Sequence, residues 1–350
     1  MKIVILGPAV NKIISGGVAV FDEGLYKGFV ENGDEVYLIS CNQSSAINNI
    51  VVEKKDIKPN KLFFRFNKIG KIIKKISPDI VISSLHYSLG IKTYKRIFNK
   101  CKYIQVLHGF PCQINSKFKA WIVNNTAKYS KKYFDFVVTV SFLSYAINKK
   151  LNLIECDKVI YNGCNFIPNT SAENKQIDFI YIGRLFRDKG VEMIADAFVR
   201  LKNKDPKFNC VIAGYGELEH VFKQDKYTNS GVEFIGKLTQ EQVHEKLSKS
   251  KFFISMNPLE PFGIVFNEAL LCGCNIITQS SSGCSPIYIK KDYFHIADCI
   301  NDKELALKLL SISDNFHKIS DLEMKEILDF SSYKRVAKEY KELVLSNSRK

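Results

Sequence analysis

The stretch EPFGIVFNEALLCG, Glu260 to Gly273, decides how the chain is read. Two carboxylates, Glu260 and Glu268, stand eight positions apart, with Pro261 and Gly263 just after the first. The apolar run Ile264, Val265, Phe266, Ala269, Leu270 and Leu271 has the spacing of a buried helix, and FFISM upstream (Phe252–Met256) that of a short buried strand. Glu260 then falls on the loop at a strand's C-terminal end, Gly263 where a helix opens, and Glu268 about one turn inside it. A helix start carries unpaired N–H groups and the positive end of the dipole, which suit phosphate. A carboxylate on each side can accept hydrogen bonds from hydroxyls. Together they describe a pocket for a phosphorylated sugar. They equally describe a glutamate ahead of a helix and a solvated helix glutamate, and spacing alone does not choose.

The chain has 350 residues, enough for two domains, and its 46% hydrophobic content supports sizeable cores. MKIVILG at the N-terminus reads as a first strand, its apolar run being too short for a secretory signal. No run approaches the roughly 20 apolar residues of a membrane span. Ten cysteines are scattered with no C-x-x-C pair, and Cys272 and Cys274 stand too close for ordinary zinc spacing. They read as reduced thiols, with no metal site and no cofactor.

The charge is uneven. Residues 1–165 hold 25 Lys and Arg against 11 Asp and Glu, whereas residues 166–350 hold 26 against 25. Between Lys54 and Lys132 there are 19 basic residues and only two acids, Asp56 and Asp79. Such sequestration argues for an anionic partner of the first half. No nucleic-acid motif accompanies it, so nucleic acid is not expected.

Along the chain, KIVIL (Lys2–Leu6) reads as a buried parallel-type strand. Gly16-Gly17 then opens a helical pattern that Asn32-Gly33 ends, before the strand EVYLIS (Glu35–Ser40). This is a βαβ unit with a glycine pair at the helix start, though not G-x-G-x-x-G. Residues 59–77 alternate apolar and basic positions, with Lys61, Arg65, Lys68, Lys71, Lys74 and Lys75 around an apolar stripe. Residues 115–133 repeat the mixture around Phe118, Trp121 (the only tryptophan) and Tyr129. Both stretches suit a helix lying in a lipid interface, apolar side down. An ordinary amphipathic helix over the first sheet has the same pattern. Further strands are expected at DIVISS (Asp79–Ser84), YIQVLHGF (Tyr103–Phe110) and FDFVVTVS (Phe134–Ser141). The polar residues 166–176 read as a linker. Strand logic then restarts at IDFIYIGRL (Ile177–Leu185) and continues through FNCVIAGYGE, VEFIGKL and NIITQS. The alternation predicts an α/β protein of two doubly wound sheets facing each other, with strand-end loops lining a cleft. The expected parts are 1–165, the linker 166–176, 177–330, and a helix over 331–350.

The second half resembles the retaining glycosyltransferases of family 4, which have the GT-B fold. The pieces that carry the resemblance are FIYIGRLFRDKGVEMIADAF, VIAGYGE, VEFIGKL and EPFGIVFNEALLCG. The first half matches more thinly, through Gly16-Gly17, LHGF and VIYNGCN. The tail FSSYKRVAKEYKELV resembles the family's last helix, which crosses back to the first domain. Position by position, the resemblance implies that Arg184 and Lys189 hold the donor diphosphate. It gives Glu268 the ribose hydroxyls and Glu260 the donor-sugar hydroxyls. It brings the backbone of Phe262, Gly263 and Ile264 to sugar and phosphate. Gly214, Gly216, Gly236, Lys237 and Leu238 fall on the loops around the base, Gly17 near the diphosphate, and His108 opposite the donor sugar. Taken singly, each also fits a plainer role, such as a strand-end arginine or a tight-turn glycine.

The chain departs from the family pattern at Met256-Asn257, where Pro-Ser is usual, at Asn275, where proline is usual, and at Pro286, near a common glutamate position. There is no Asp-x-Asp, so leaving-group charge falls to Arg184, Lys189 and the helix start rather than to a divalent ion. The reading is a cytoplasmic, metal-independent, retaining glycosyltransferase, peripheral at the inner face of the plasma membrane. It uses a UDP- or GDP-sugar and a glycan acceptor, lipid-linked, in surface polysaccharide such as lipopolysaccharide. Arg65, Lys68, Lys71, Lys74, Lys75 and Trp121 are its membrane or acceptor face. The alternatives are a nucleotide-sugar epimerase of the same fold and a non-catalytic sugar-nucleotide or membrane-binding module.

Overall fold

The first strand, β1 (Lys2–Leu6), buries four of its five residues, as a strand covered on both faces must. It pairs in parallel with β2 (Glu35–Ser40) and β4 (Ile80–Ser84). The fold is that of a computed structural model, which describes residues 1–10, 16–57, 67–109, 125, 128–129, 131–164 and 175–347. Of the expected linker, residues 166–174 lie outside these, as do Arg65 and Trp121.

The chain divides into two units, Met1–Asn165 with Phe330–Lys350, and Phe166–Asp329. In the first, β3 (Asn49–Val51), β5 (Lys102–Leu107), β6 (Phe136–Thr139) and β7 (Lys158–Val159) complete a sheet of order β3-β2-β1-β4-β5-β6-β7. In the second, β8 (Ile177–Arg184), β9 (Cys210–Tyr215), β10 (Glu233–Gly236), β11 (Ser250–Ser255), β12 (Asn275–Thr278) and β13 (Phe294–Ile296) form a sheet of order β10-β9-β8-β11-β12-β13. Every pairing in both sheets is parallel. Each unit is therefore doubly wound, as the alternation predicts. The order reverses beside β1 in one unit and beside β8 in the other. Strand ends diverge at such a reversal and leave a crevice at their C-terminal edge.

The tail helix Tyr333–Asn347 belongs to the first unit and lies on the helix Gly17–Glu31. The approach is close enough that a Cβ on Gly24 would sit 2.1 Å from the Tyr333 ring, and one on Gly28 2.1 Å from the Tyr333 carbonyl. Lys341 Nζ reaches both oxygens of Asp34 at 2.8 Å, and Asp34 also takes the N-terminal ammonium. Arg335 donates to the carbonyls of Phe330 and Tyr161, closing the strap at its start.

Candidate active site

In the second unit the strand β11 ends at Ser255, and the chain turns through Asn257 and Glu260 before the helix Ile264–Leu271 opens. Glu260 Oε2 accepts from Lys189 Nζ at 3.1 Å and from Asn257 Nδ2 at 2.6 Å. The lysine side chain is 16% exposed and the glutamate 20%, so the pair is shielded well beyond an ordinary surface ion pair. Asn257 Oδ1 also accepts from the Leu259 N–H at 3.2 Å, which holds the turn. The Gly283 N–H donates to the Glu260 carbonyl at 2.9 Å and ties the loop to the one after β12. Asn257, one of the departures from the family pattern, thus supports the carboxylate three residues on. Asn275, another departure, is buried in β12, and its amide exchanges two hydrogen bonds with the backbone of His317.

Gly263 precedes the helix at φ +76°, a left-handed conformation that a residue with a Cβ adopts at a cost. No side chain caps this helix start; the Phe266 N–H turns back to the Gly263 carbonyl at 3.0 Å, which leaves the N–H groups of Ile264 and Val265 to face an anion. Lys189 sits in the tight turn Arg187–Lys189 just beyond β8. Arg184, the last residue of β8, is exposed, with its guanidinium 5.3 Å over the Phe186 ring. Among the described residues no carboxylate pairs with Arg184, whereas Lys189 is already matched by Glu260. Phe262 is buried, so only its backbone can face a ligand.

Glu268 lies on the second turn of the helix with its side chain 12% exposed. Its Oε1 accepts from Gln240 Nε2 at 2.6 Å, and His244 Nε2 stands 4.0 Å away. Sequence reasoning missed Gln240 and His244, which lie 28 and 24 positions upstream in another helix, Gln240–Ser248. Lys237 lies with its ammonium 4.9 Å over the exposed Tyr215 ring, which brings the ends of β9 and β10 together. Gly214 and Gly216 back onto the carbonyls of Gly183 and Leu185, so packing alone accounts for glycine there. Gly236 and Leu238 lie beside Lys237 at the end of β10, and Thr239 caps the next helix by accepting from the Gln242 N–H.

The first unit places His108 just beyond β5. Its Nε2 is 3.0 Å from Ser84 Oγ, and its ring meets Phe21 edge-on at 4.7 Å. Burial pushes its pKa down to about 3, so the imidazole is neutral at physiological pH. Gly16 and Gly17 open the helix Gly17–Glu31, and a Cβ on either meets nothing within 4 Å among the described residues. The described surroundings do not demand glycine there, in contrast to Gly214.

Over the helix Asn67–Ile76 the expected lipid-facing arrangement of the basic stretch is corrected, whereas residues 59–66 of that stretch and 115–124 of the second lie outside the described residues. Ile69 and Ile73 of this helix are fully buried in the core of the first unit, so that apolar side is already occupied and cannot lie in lipid. Lys68, Lys71, Lys74 and Lys75 remain exposed, and Lys68 is tied to Asp56 at 3.0 Å. No described helix is long and apolar enough to cross a membrane.

Residues 165–326, nearly the whole second unit, match the family model described as glycosyl transferases group 1. An uncharacterized glycosyltransferase of Methanocaldococcus jannaschii is 26% identical over 313 residues, covering 81% of this chain and 79% of the relative. Among solved structures, the sucrose-phosphate synthase of Thermosynechococcus elongatus superposes with a TM-score of 0.79 at 15% identity, over 99% of each chain. HepE of Anabaena, solved in complex with UDP, gives 0.75 at 16% identity over 99% of this chain and 100% of that one. The fold is thus the GT-B type, built of two Rossmann-like domains. The family match and the named relative support a glycosyltransferase.

Proposed function

We propose that this chain is a retaining, metal-independent glycosyltransferase that moves a sugar from a nucleoside-diphosphate sugar to a glycan acceptor. The observation that carries the proposal is the cluster after β11, where Lys189, Asn257 and Glu260 converge beside an uncapped helix start. In this reading Arg184, Lys189 and the first N–H groups of the helix receive the diphosphate. Charge that builds on the leaving group meets fixed positive charge already in place. As the diphosphate takes the Lys189 ammonium, Glu260 Oε2 is released to accept from a donor-sugar hydroxyl. Glu268 accepts from the ribose hydroxyls, with Gln240 yielding its place. The loops at Gly214, Gly216 and Gly236–Leu238 border the base, and the UDP bound by HepE favours uridine there. From the first unit the reading draws Gly17 beside the diphosphate and His108 beside the sugar. Retention follows from attack on the face the leaving group departs, with a phosphate oxygen taking the acceptor's proton.

The acceptor in this reading is a lipid-linked glycan in surface polysaccharide assembly, and the first unit is its docking side. The basic excess of residues 1–165 supports this, through lysine charge near anionic headgroups rather than through inserted apolar side chains. A panel of UDP- and GDP-sugars tests the proposal by nucleoside-diphosphate release and by the configuration of the freed or transferred sugar. The expected result is slow cleavage of one donor class with retained configuration, unchanged by EDTA. Inverted product, dependence on added magnesium, or no donor consumed contradicts it.

A further inference from the structure

The helix Gly17–Glu31 carries a carboxyl group that the proposed chemistry does not use. Asp22 is fully buried, and its Oδ1 accepts from the Ser84 hydroxyl at 2.9 Å. Its Oδ2 has no hydrogen-bond partner among the described residues. Gly7, just past β1, backs onto that oxygen so closely that a Cβ would sit 1.9 Å from it. Ser84 ends β4, and His108 lies two residues past Val106, the β5 partner of Ser84. Three elements far apart in sequence thus deliver one chain of contacts, Asp22 to Ser84 to His108.

We infer that Asp22 and Ser84 are positioning residues that fix His108 as its Nε2–H tautomer and leave Nδ1 as a bare acceptor. Counting protons along the contacts gives this tautomer. A serine hydroxyl has one hydrogen, and here it points to Asp22 Oδ1. The 3.0 Å contact between Ser84 Oγ and His108 Nε2 then needs its hydrogen from the imidazole. A neutral imidazole has only one such hydrogen, so Nδ1 keeps its lone pair. An ionised Asp22 can only accept, which fixes this direction; burial raises its pKa well above the usual carboxyl range, and the neutral acid keeps the direction when its proton sits on Oδ2. A proton on Oδ1 would instead donate to Ser84 Oγ and turn the Ser84 hydrogen toward Nε2, so the direction is that of an Asp22 whose Oδ1 is unprotonated. Among the described residues Nδ1 has no hydrogen-bond partner. Resting on the reading that His108 faces the donor sugar, the consequence is specific: His108 accepts a hydrogen bond from a sugar hydroxyl and does not donate one.

The test is a two-bond 1H–15N correlation spectrum of the full chain labelled with 15N-histidine, with His108→Gln to assign the ring. The expected result is a protonated Nε2 and an unprotonated Nδ1 in the wild type. Ser84→Ala is expected to give a mixture of the two tautomers, while Ser84→Thr, which keeps the hydroxyl, retains Nε2–H. Turnover should fall about tenfold in Ser84→Ala, the low end for removing a group that orients an imidazole, and recover in Ser84→Thr. A wild-type ring protonated on Nδ1, or a folded Ser84→Ala still wholly in the Nε2–H form, overturns the inference. Should Ser84→Ala fail to fold, the wild-type and Ser84→Thr spectra still decide. The spectra need no substrate, so a chain that consumes no nucleotide sugar refutes the transferase reading without touching the tautomer result.

Discussion

At the end of β11 one ammonium and one amide meet on a single carboxylate oxygen, partly shielded from solvent. At the end of β5 a neutral imidazole is held by a serine and a buried acid, with its ring packed on Phe21. The two sheets have the same winding, and both clusters sit at strand ends near the point where strand order reverses. What differs is the chemistry placed there. The second unit offers fixed positive charge and charged acceptors, as a diphosphate and its sugar require. The first offers uncharged, oriented hydrogen-bonding groups, which suit contact with a hydroxyl more than with a leaving anion.

The sharpest way to break this contrast is to remove charge from the second unit. Arg184→Ala and Lys189→Ala should each lower turnover by about 10²–10³, the range for losing one preorganised group that stabilises transition-state charge. Donor affinity should fall less, because that charge develops only as the bond breaks. Equal losses in turnover and in affinity, measured by steady-state kinetics and titration, would assign the pair to ground-state binding alone.

A second prediction concerns the exposed lysines of the first unit. Each lysine near an anionic surface contributes about 1 kcal/mol. Because Lys68 is already paired with Asp56, three engaged lysines should account for roughly a hundredfold in partitioning. Replacing Lys68, Lys71, Lys74 and Lys75 with Ser should release the protein from anionic vesicles in co-sedimentation, and Lys71→Ser should cost more than Lys68→Ser. Binding that is equal on neutral and anionic vesicles would remove the membrane from the account.

The smallest effects are on stability against pH. The Asp22 pKa is raised in the fold, so its contribution is complete below the unfolded carboxyl value of about 3.9 and is lost as pH rises. Asp22→Asn should therefore gain on the wild type as pH rises above the unfolded value of about 3.9, by a few degrees in Tm. His108 has the opposite sign. Its pKa is depressed, so its contribution is complete above the unfolded value of about 6.5 and is lost as pH falls toward about 3. His108→Gln should gain on the wild type only at acid pH. Parallel melting curves for the wild type and both variants would show that neither environment is as buried as described.

The contrast also explains what sequence could reveal. The second site lies largely in one loop and one helix, so the spacing of Glu260, Gly263 and Glu268 already places them. Its supports were harder to see. Asn257 stood out only as a departure from a pattern, and Gln240 reaches Glu268 from a helix with no local link to it. In the first unit, Asp22 lies in a run that reads as an ordinary amphipathic helix, and Ser84 is 62 positions away, so no local signal joins them. The strands were legible because buried parallel strands are nearly continuous apolar runs. The edge strand Asn49–Val51 was not read, being three residues long with a polar start. The helix Asp302–Ile312 was also missed, although Asn301 and Glu304 carry a readable start: the Asn301 side chain accepts from the Glu304 N–H.

The central claim is that the second unit binds a nucleoside-diphosphate sugar through the helix that begins at Ile264. Calorimetric titration of UDP and UDP-sugars into the wild type and Glu268→Ala tests it most directly. Hydrogen bonds to a charged group are worth about 1.5–3 kcal/mol, so the variant should bind about ten- to a hundredfold more weakly while remaining folded. Unchanged affinity in Glu268→Ala, or a wild type that binds no uridine or guanosine diphosphate sugar, would contradict the account.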